Sequence, residues 1–243
     1  MAEASPAPPR WKTLRAYAVH GYTASGVVAA FLSVVVLMAD VPDPRWVFFW
    51  LAVAGIIDAT DGPLARRWDV KTHAARVRGR VIDDIVDYLT FTFIPLLLIW
   101  RMGWVPDPAL LFVLPALLTS VVAFARVGIK QGEDGFFVGF PSYWNLVAFY
   151  IGWWVALYGL WVPAILLLGL AVLTLMPVRF LYPNRTPRPY RRFILWGGWM
   201  WMGVLLASLP FFPEAPAWLF WASLSYPAAY VGLSWWVGRR TAR

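Results

Sequence analysis

The sequence predicts an all-α fold, a polytopic membrane helical bundle of about eight transmembrane helices. Apolar stretches of about 20 residues recur along the chain, each long enough to cross a hydrocarbon core of about 30 Å as a helix. These stretches are continuous and do not alternate, which argues against a β-barrel. With 60% hydrophobic residues and a mean hydropathy of +0.62, the chain is too apolar for an ordinary soluble domain. The charge pattern agrees: once eight spans are drawn, all of the 21 Lys and Arg residues except Arg45 and Arg101 fall on one side. One helix more or fewer would scramble that alternation, so the basic side is read as cytoplasmic, with both termini there.

The chain opens with MAEASPAPPRWKTLR, a polar tail (1–15) or a helix lying at the interface. No small-residue cleavage site follows at signal-peptide length, so no cleavage is expected. The spans fall at about 16–39, 46–67, 79–102, 109–130, 141–159, 162–182, 193–212 and 216–237. Pro106 and Pro108 punctuate one loop, Pro183, Pro187 and Pro189 a second, and Pro213 and Pro216 a third. The expected organisation is a tail, a core over 16–190, and two additional C-terminal helices over 191–243. With no cysteine, disulfides and thiol chemistry are excluded. The net charge of +8 follows topology and the attraction of basic loops to anionic headgroups, so no nucleic-acid partner is expected.

Spans two and three break the apolar pattern with Asp58, Asp61, Asp83, Asp84 and Asp87. An Asp at the centre of a membrane helix costs roughly 2.5–3.5 kcal/mol. These lie shallow: Asp61 is about 7.5 Å of helix from Arg66, and Asp87 about 12 Å from Gly79. At about 100° per residue, Asp58, Asp61, Gly62 and Ala65 share one side of span two, and Gly79, Asp83 and Asp87 share one side of span three. Antiparallel packing points these faces at each other. Four converging carboxylates would repel or take up protons unless a hard divalent cation (Mg²⁺, Mn²⁺ or Ca²⁺) neutralised them, and four suit two ions better than one. Gly62, Ala65 and Gly79 serve either tight helix packing or a slot for a flat ligand, and the adjacent acids favour the slot. Arg66 offers a fork for phosphate oxygens or a cytoplasmic anchor. Asp84 points about 100° away from Asp83 and is expected to pair with Arg80, one turn earlier.

Asp58-x2-Asp61-Gly62-x2-Ala65-Arg66, followed by Gly79-x3-Asp83-x3-Asp87, resembles the signature of the CDP-alcohol phosphatidyltransferase family. The 12 residues between Arg66 and Gly79 are more than is usual in that family. That gap, with AVHGYTASG (18–26), VDYLTF (86–91) and GFFVGFPSYWN (135–145), resembles the choline-accepting branch. The loop KTHAARVR before Gly79 and Asp84 itself depart from that branch.

The resemblance implies the CDP-alcohol phosphatidyltransferase fold, a bacterial cytoplasmic (inner) membrane location and a homodimer. It implies transfer of the phosphatidyl group of CDP-diacylglycerol to a small alcohol, choline first, with two divalent cations, Mg²⁺ or Mn²⁺. By the same carry-over Asp58, Asp61 and Asp83 bind the first metal, and Asp83 and Asp87 contribute to the second. Asp87 is the base on the acceptor hydroxyl. Asp61, Gly62, Ala65, Arg66 and Gly79 hold the CDP moiety.

A quaternary ammonium is best met by aromatic faces. Tyr22, Tyr143 and Trp144, with the polar Asn145, lie near cytoplasmic ends of spans one and five and are the candidate acceptor residues. His20 is open between a substrate role and a backbone contact. Ethanolamine, serine, glycerol phosphate and inositol phosphate are the alternative acceptors, and Arg126 and Lys130 would serve those carrying phosphate. A divalent-cation transporter is the alternative of another class. Against it, the acids share one depth and trace no path across the bilayer.

Overall fold

A computed structural model describes residues 9–126, 130–131, 135–181, 186, 188–214 and 216–241. The start of the tail and Pro183 and Pro187 lie outside the described residues, as does the Lys130 side chain. Among the described residues, eight helical segments occupy the eight predicted spans: 10–37, 44–67, 79–101, 110–125, 144–158, 161–175, 188–211 and 217–241. Three of them, Arg10–Leu37, Pro44–Arg67 and Pro189–Phe211, are long and apolar enough to cross a membrane by length and composition alone. The chain is an all-α polytopic membrane protein. It divides into two compact units, one ending at Ile94 and the other beginning at Pro95.

In the first unit, α1 (Arg10–Ala24) and α2 (Gly26–Leu37) form one span broken only at Ser25. The Ser25 hydroxyl donates to the Tyr22 carbonyl at 2.6 Å. Span two is α3 (Pro44–Arg67), and its start is well specified. Pro44 sits at the first helical position, where no N–H is needed. Asp43 caps the helix by accepting from the Arg45 N–H at 2.9 Å. Its side-chain hydrogen bond with Arg45 holds the Asp43 carboxyl below the usual carboxylate range. That contribution is therefore present at neutral pH and is lost as pH falls through the lowered value. α2 packs along α3, and both helices bury small residues, Ala29, Ala30 and Ser33 on α2 and Ala54 on α3. This close approach is how helices associate where lipid removes the hydrophobic drive.

The long loop after α3 is not featureless. It holds the short helix α4 (Val70–His73). Val70 and Ala74 close a small core with Ala16 and Val19 of α1, against which Leu64, Ala65 and Trp68 pack. Span three begins as α5 (Gly79–Asp87) and continues through a π-helical turn (Tyr88–Phe93) into α6 (Ile94–Arg101). A β-carbon on Gly26 would fall 2.5 Å from Cγ1 of Val86, so glycine is what lets α2 and α5 touch there. π-Helical turns are uncommon and cluster at functional sites; this one starts immediately after Asp87.

In the second unit, α7 (Leu110–Ala125) packs on α9 (Trp161–Leu175), and α8 (Trp144–Tyr158) precedes α9. Spans four and six are shorter than expected. Instead of reaching 130 and 182 they stop at Ala125 and Leu175, and the chain forms a small antiparallel sheet ordered β1 (Lys130–Gln131), β2 (Phe136–Val138), β3 (Arg179–Leu181). The cause is local for span six: Pro177 disfavours helix at Met176, which is extended with ψ 147°. Of the residues that prolonged predicted span six, Phe180 and Leu181 belong to β3.

The last helices are α10 (Arg188–Ser208), α11 (Ala217–Ser223) and α12 (Ser225–Thr241). α12 secures the sheet edge. The Leu181 N–H donates to Ser234 Oγ at 3.1 Å, and Tyr230 donates its hydroxyl to the Leu181 carbonyl at 2.6 Å. Both polar groups of a buried strand residue are thereby met from one helix face, as a low-dielectric interior requires.

Candidate active site

The candidate site lies on the C-terminal part of α3 and along α5, within the first unit. α5 alternates acids with apolar residues at helical spacing, so Gly79, Asp83 and Asp87 line one side while Val86 is buried. α3 contributes Asp58 and Asp61. Pro63 follows closely and cannot donate to the Ala59 carbonyl one turn back, which weakens the helix just beyond the acids.

Carboxylate oxygens of Asp58, Asp83 and Asp87 lie within 4.8 Å of one another, each side chain partly buried. Three hard oxygen donors from two helices, with no His or Cys among them, match the donor set of Mg²⁺ or Mn²⁺. The structure therefore brings together three of the four predicted ligands.

Asp61 is outside that group. It is only 7% exposed, and its Oδ2 accepts a hydrogen bond from the Thr23 hydroxyl at 2.7 Å. Thr23 is a site residue that the sequence did not disclose. The signal in the sequence is slight, one more polar residue beside Tyr22 in a span that also carries His20, Ser25 and Ser33. Its neighbour Tyr22 donates its hydroxyl to Thr60 Oγ1 at 2.8 Å, since the Thr60 proton is directed to the Ile56 carbonyl at 2.7 Å. Consecutive hydroxyls on α1 thus hold consecutive residues of α3, Thr60 and Asp61. A hydrogen bond to a charged group is worth about 1.5–3 kcal/mol. Thr23→Ala is expected to raise the Mn²⁺ concentration for half-maximal activity by about tenfold or more, and Thr23→Ser to stay near the parent. A metal titration of the three proteins checks this, and equal midpoints for Ala and Ser would remove Thr23 from the site.

The remaining signature residues are placed as follows. A β-carbon on Gly62 would lie 3.5 Å from Nη1 of Arg66, so the guanidinium folds back over the glycine one turn earlier. Arg66 itself is exposed. Ala65 packs against the small core of α1 and α4. Gly79 is the first residue of α5 and abuts His20 of α1. Arg80 Nε and Asp84 Oδ2 are 3.7 Å apart on the side away from the acids, the expected pairing, and at that length and exposure it adds little stability.

The acceptor candidates other than Tyr22 belong to the second unit. Trp144 is fully buried there: its indole N–H donates to Ser120 Oγ at 2.7 Å and its ring meets Phe140 edge-on at 5.2 Å. Asn145 Oδ1 accepts from the Leu146 N–H at 2.9 Å. Tyr143 is half-buried at the start of α8, and its carbonyl accepts from the N–H groups of Leu146 and Val147. Arg126 Nη1 donates to the Leu175 carbonyl at 3.3 Å, tying the end of α7 to that of α9.

No protein-family model matches the chain. Curated relatives do. The phosphatidylcholine synthase of Pseudomonas aeruginosa is 35% identical over 235 residues, which cover 94% of this chain and 93% of that one. Its counterpart from Mesorhizobium japonicum is 36% identical, over 73% of this chain and 65% of the relative. The Brucella melitensis phosphatidylcholine synthase is 34% identical, over 84% and 72%. Identity at this level over most of the chain, joined to the acid-bearing signature on α3 and α5, decides the family: the chain belongs to the phosphatidylcholine synthases of the CDP-alcohol phosphatidyltransferase family.

Proposed function

We propose that this protein transfers the phosphatidyl group of CDP-diacylglycerol to choline, giving phosphatidylcholine and CMP. The observation that carries the chemistry is the convergence of Asp58, Asp83 and Asp87 within 4.8 Å. Bound there, divalent cations would supply the positive charge that neutralises the diphosphate and the departing CMP. The chain's own residues supply the rest. Asp87 takes the proton of the acceptor hydroxyl, whose oxygen attacks the phosphorus carrying diacylglycerol as the bond from that phosphorus to the CMP oxygen breaks. Asp61, oriented by Thr23, completes the acidic wall of α3. Arg66 engages diphosphate oxygens from the exposed end of α3. Gly62, Ala65 and Gly79 keep the slot beside the acids narrow and flat, shaped for the cytidine.

The enzyme works from the cytoplasmic leaflet of the bacterial inner membrane, with both termini on that side, as the distribution of Lys and Arg supports. A homodimer is its working state, on the precedent of the family. For the acceptor, Tyr22, held to Thr60 next to Asp61, is the aromatic residue we favour at the trimethylammonium group. The test is initial rates of lipid product with choline, ethanolamine, serine, glycerol phosphate or inositol phosphate as sole acceptor. Choline should be turned over fastest. A clear preference for glycerol phosphate, or no choline turnover, would leave the reaction class standing and remove choline from it.

A further inference from the structure

We propose that His20 forms one wall of the nucleotide slot: its imidazole occupies the side-chain space that Gly79 leaves, and its Nε2 hydrogen-bonds the cytidine of the bound nucleotide. This inference rests on the reading of the slot given above. A β-carbon on Gly79 would lie 2.7 Å from Cε1 of His20, 2.9 Å from Nδ1 and 3.9 Å from Nε2. The edge of the ring that carries both nitrogens therefore faces the first turn of α5. That turn has no side-chain cap. Tyr17 braces the imidazole edge-on, with ring centroids 6.2 Å apart. One turn of α1 meets both small residues of the slot, since Ala65 packs on the cluster containing Ala16 and Val19 while Gly79 receives His20.

The second observation is chemical. His20 is 8% exposed, and its Nε2 is buried with no hydrogen-bond partner among the described residues. Leaving a buried polar atom unmet is costly, and such atoms in native structures call for an explanation. Filling space over Gly79 would be served as well by an apolar ring. A neutral imidazole nitrogen either donates or accepts, and the base and ribose of cytidine offer both kinds of partner. The glycine of the signature thus has a specific use in this chain: it admits a histidine from the neighbouring helix, and the histidine presents the polar atom that the glycine cannot.

The test is calorimetric titration of CMP into the full-length protein in lipid nanodiscs with Mn²⁺ present. His20→Phe keeps a ring over Gly79 and removes the nitrogens. It should weaken CMP binding by roughly threefold to tenfold, the effect of one neutral hydrogen bond, while Mn²⁺ affinity without nucleotide stays unchanged. His20→Gln, which keeps a hydrogen-bonding group, should lie closer to the parent. Gly79→Ala should weaken CMP binding by about tenfold or more through overpacking, and His20→Ala in the same chain should restore it to the level of His20→Ala alone. CMP binding by His20→Phe equal to the parent's would overturn the hydrogen bond. A double variant no better than Gly79→Ala would overturn the steric pairing. Loss of Mn²⁺ binding along with CMP binding in His20→Phe would make His20 an assembly residue only and overturn the proposal. If the parent protein itself failed to bind CMP, the nucleotide slot would fall, and His20 with it.

Discussion

Asp87→Asn is expected to lower the rate of phosphatidyl transfer by about 10²–10⁴-fold, the usual contribution of a positioned general base. The substitution keeps the size and shape of the side chain and removes its ability to take a proton. Asp87 is the last residue of α5, followed at once by the π-helical turn. Its backbone is therefore set by the helix, and the change should leave the fold intact. Asp87 shares the acidic cluster with Asp58 and Asp83, so some metal affinity will be lost as well. Nucleotide binding should nevertheless suffer less than in Asp58→Asn, because on the proposed reading Asp58 holds a metal and takes no proton. Single-turnover measurements at saturating Mn²⁺ separate the two effects. A variant retaining more than roughly a tenth of the parent rate, well outside that range, would show that another group takes the proton.

Removal of divalent cations should abolish activity entirely, and Mg²⁺ or Mn²⁺ should restore it. The physical reason is charge. Asp58, Asp83 and Asp87 are drawn within 4.8 Å in a partly buried setting, and the substrate adds a diphosphate. Bringing those anions together without a counter-charge is strongly opposed where the dielectric is low. Activity should return with the metal in a saturable way, and Zn²⁺ should be a poor substitute at an all-oxygen site. Full turnover in excess EDTA would contradict the assignment of the acids as a metal centre.

The sequence disclosed different parts of this account to different degrees. The helical segments were legible because apolar runs of roughly membrane-helix length recur along the chain. The segment 176–181 differs from the expected helix because a short apolar stretch does not distinguish strand from helix by periodicity. Pro177 was the local cue that span six ends early. Asp58, Asp83 and Asp87 were legible because helical spacing alone places them on facing sides. The hydrogen bond from Thr23 to Asp61 was not, because it depends on how α1 seats against α3. Trp144 shows the same limit: its aromatic character was evident, but its burial against Ser120 and Phe140 belongs to tertiary packing.

The most direct test of the central claim is equilibrium binding of Mn²⁺ to the purified protein, followed by electron paramagnetic resonance, for the parent and for Asp83→Asn. On the proposed reading Asp83 serves both metals, so its loss should damage both. The account predicts saturable Mn²⁺ binding in the parent, tightened by CMP, and its loss in Asp83→Asn in a protein that still folds. Indistinguishable titrations of the two proteins, or no Mn²⁺ binding by the parent, would contradict it.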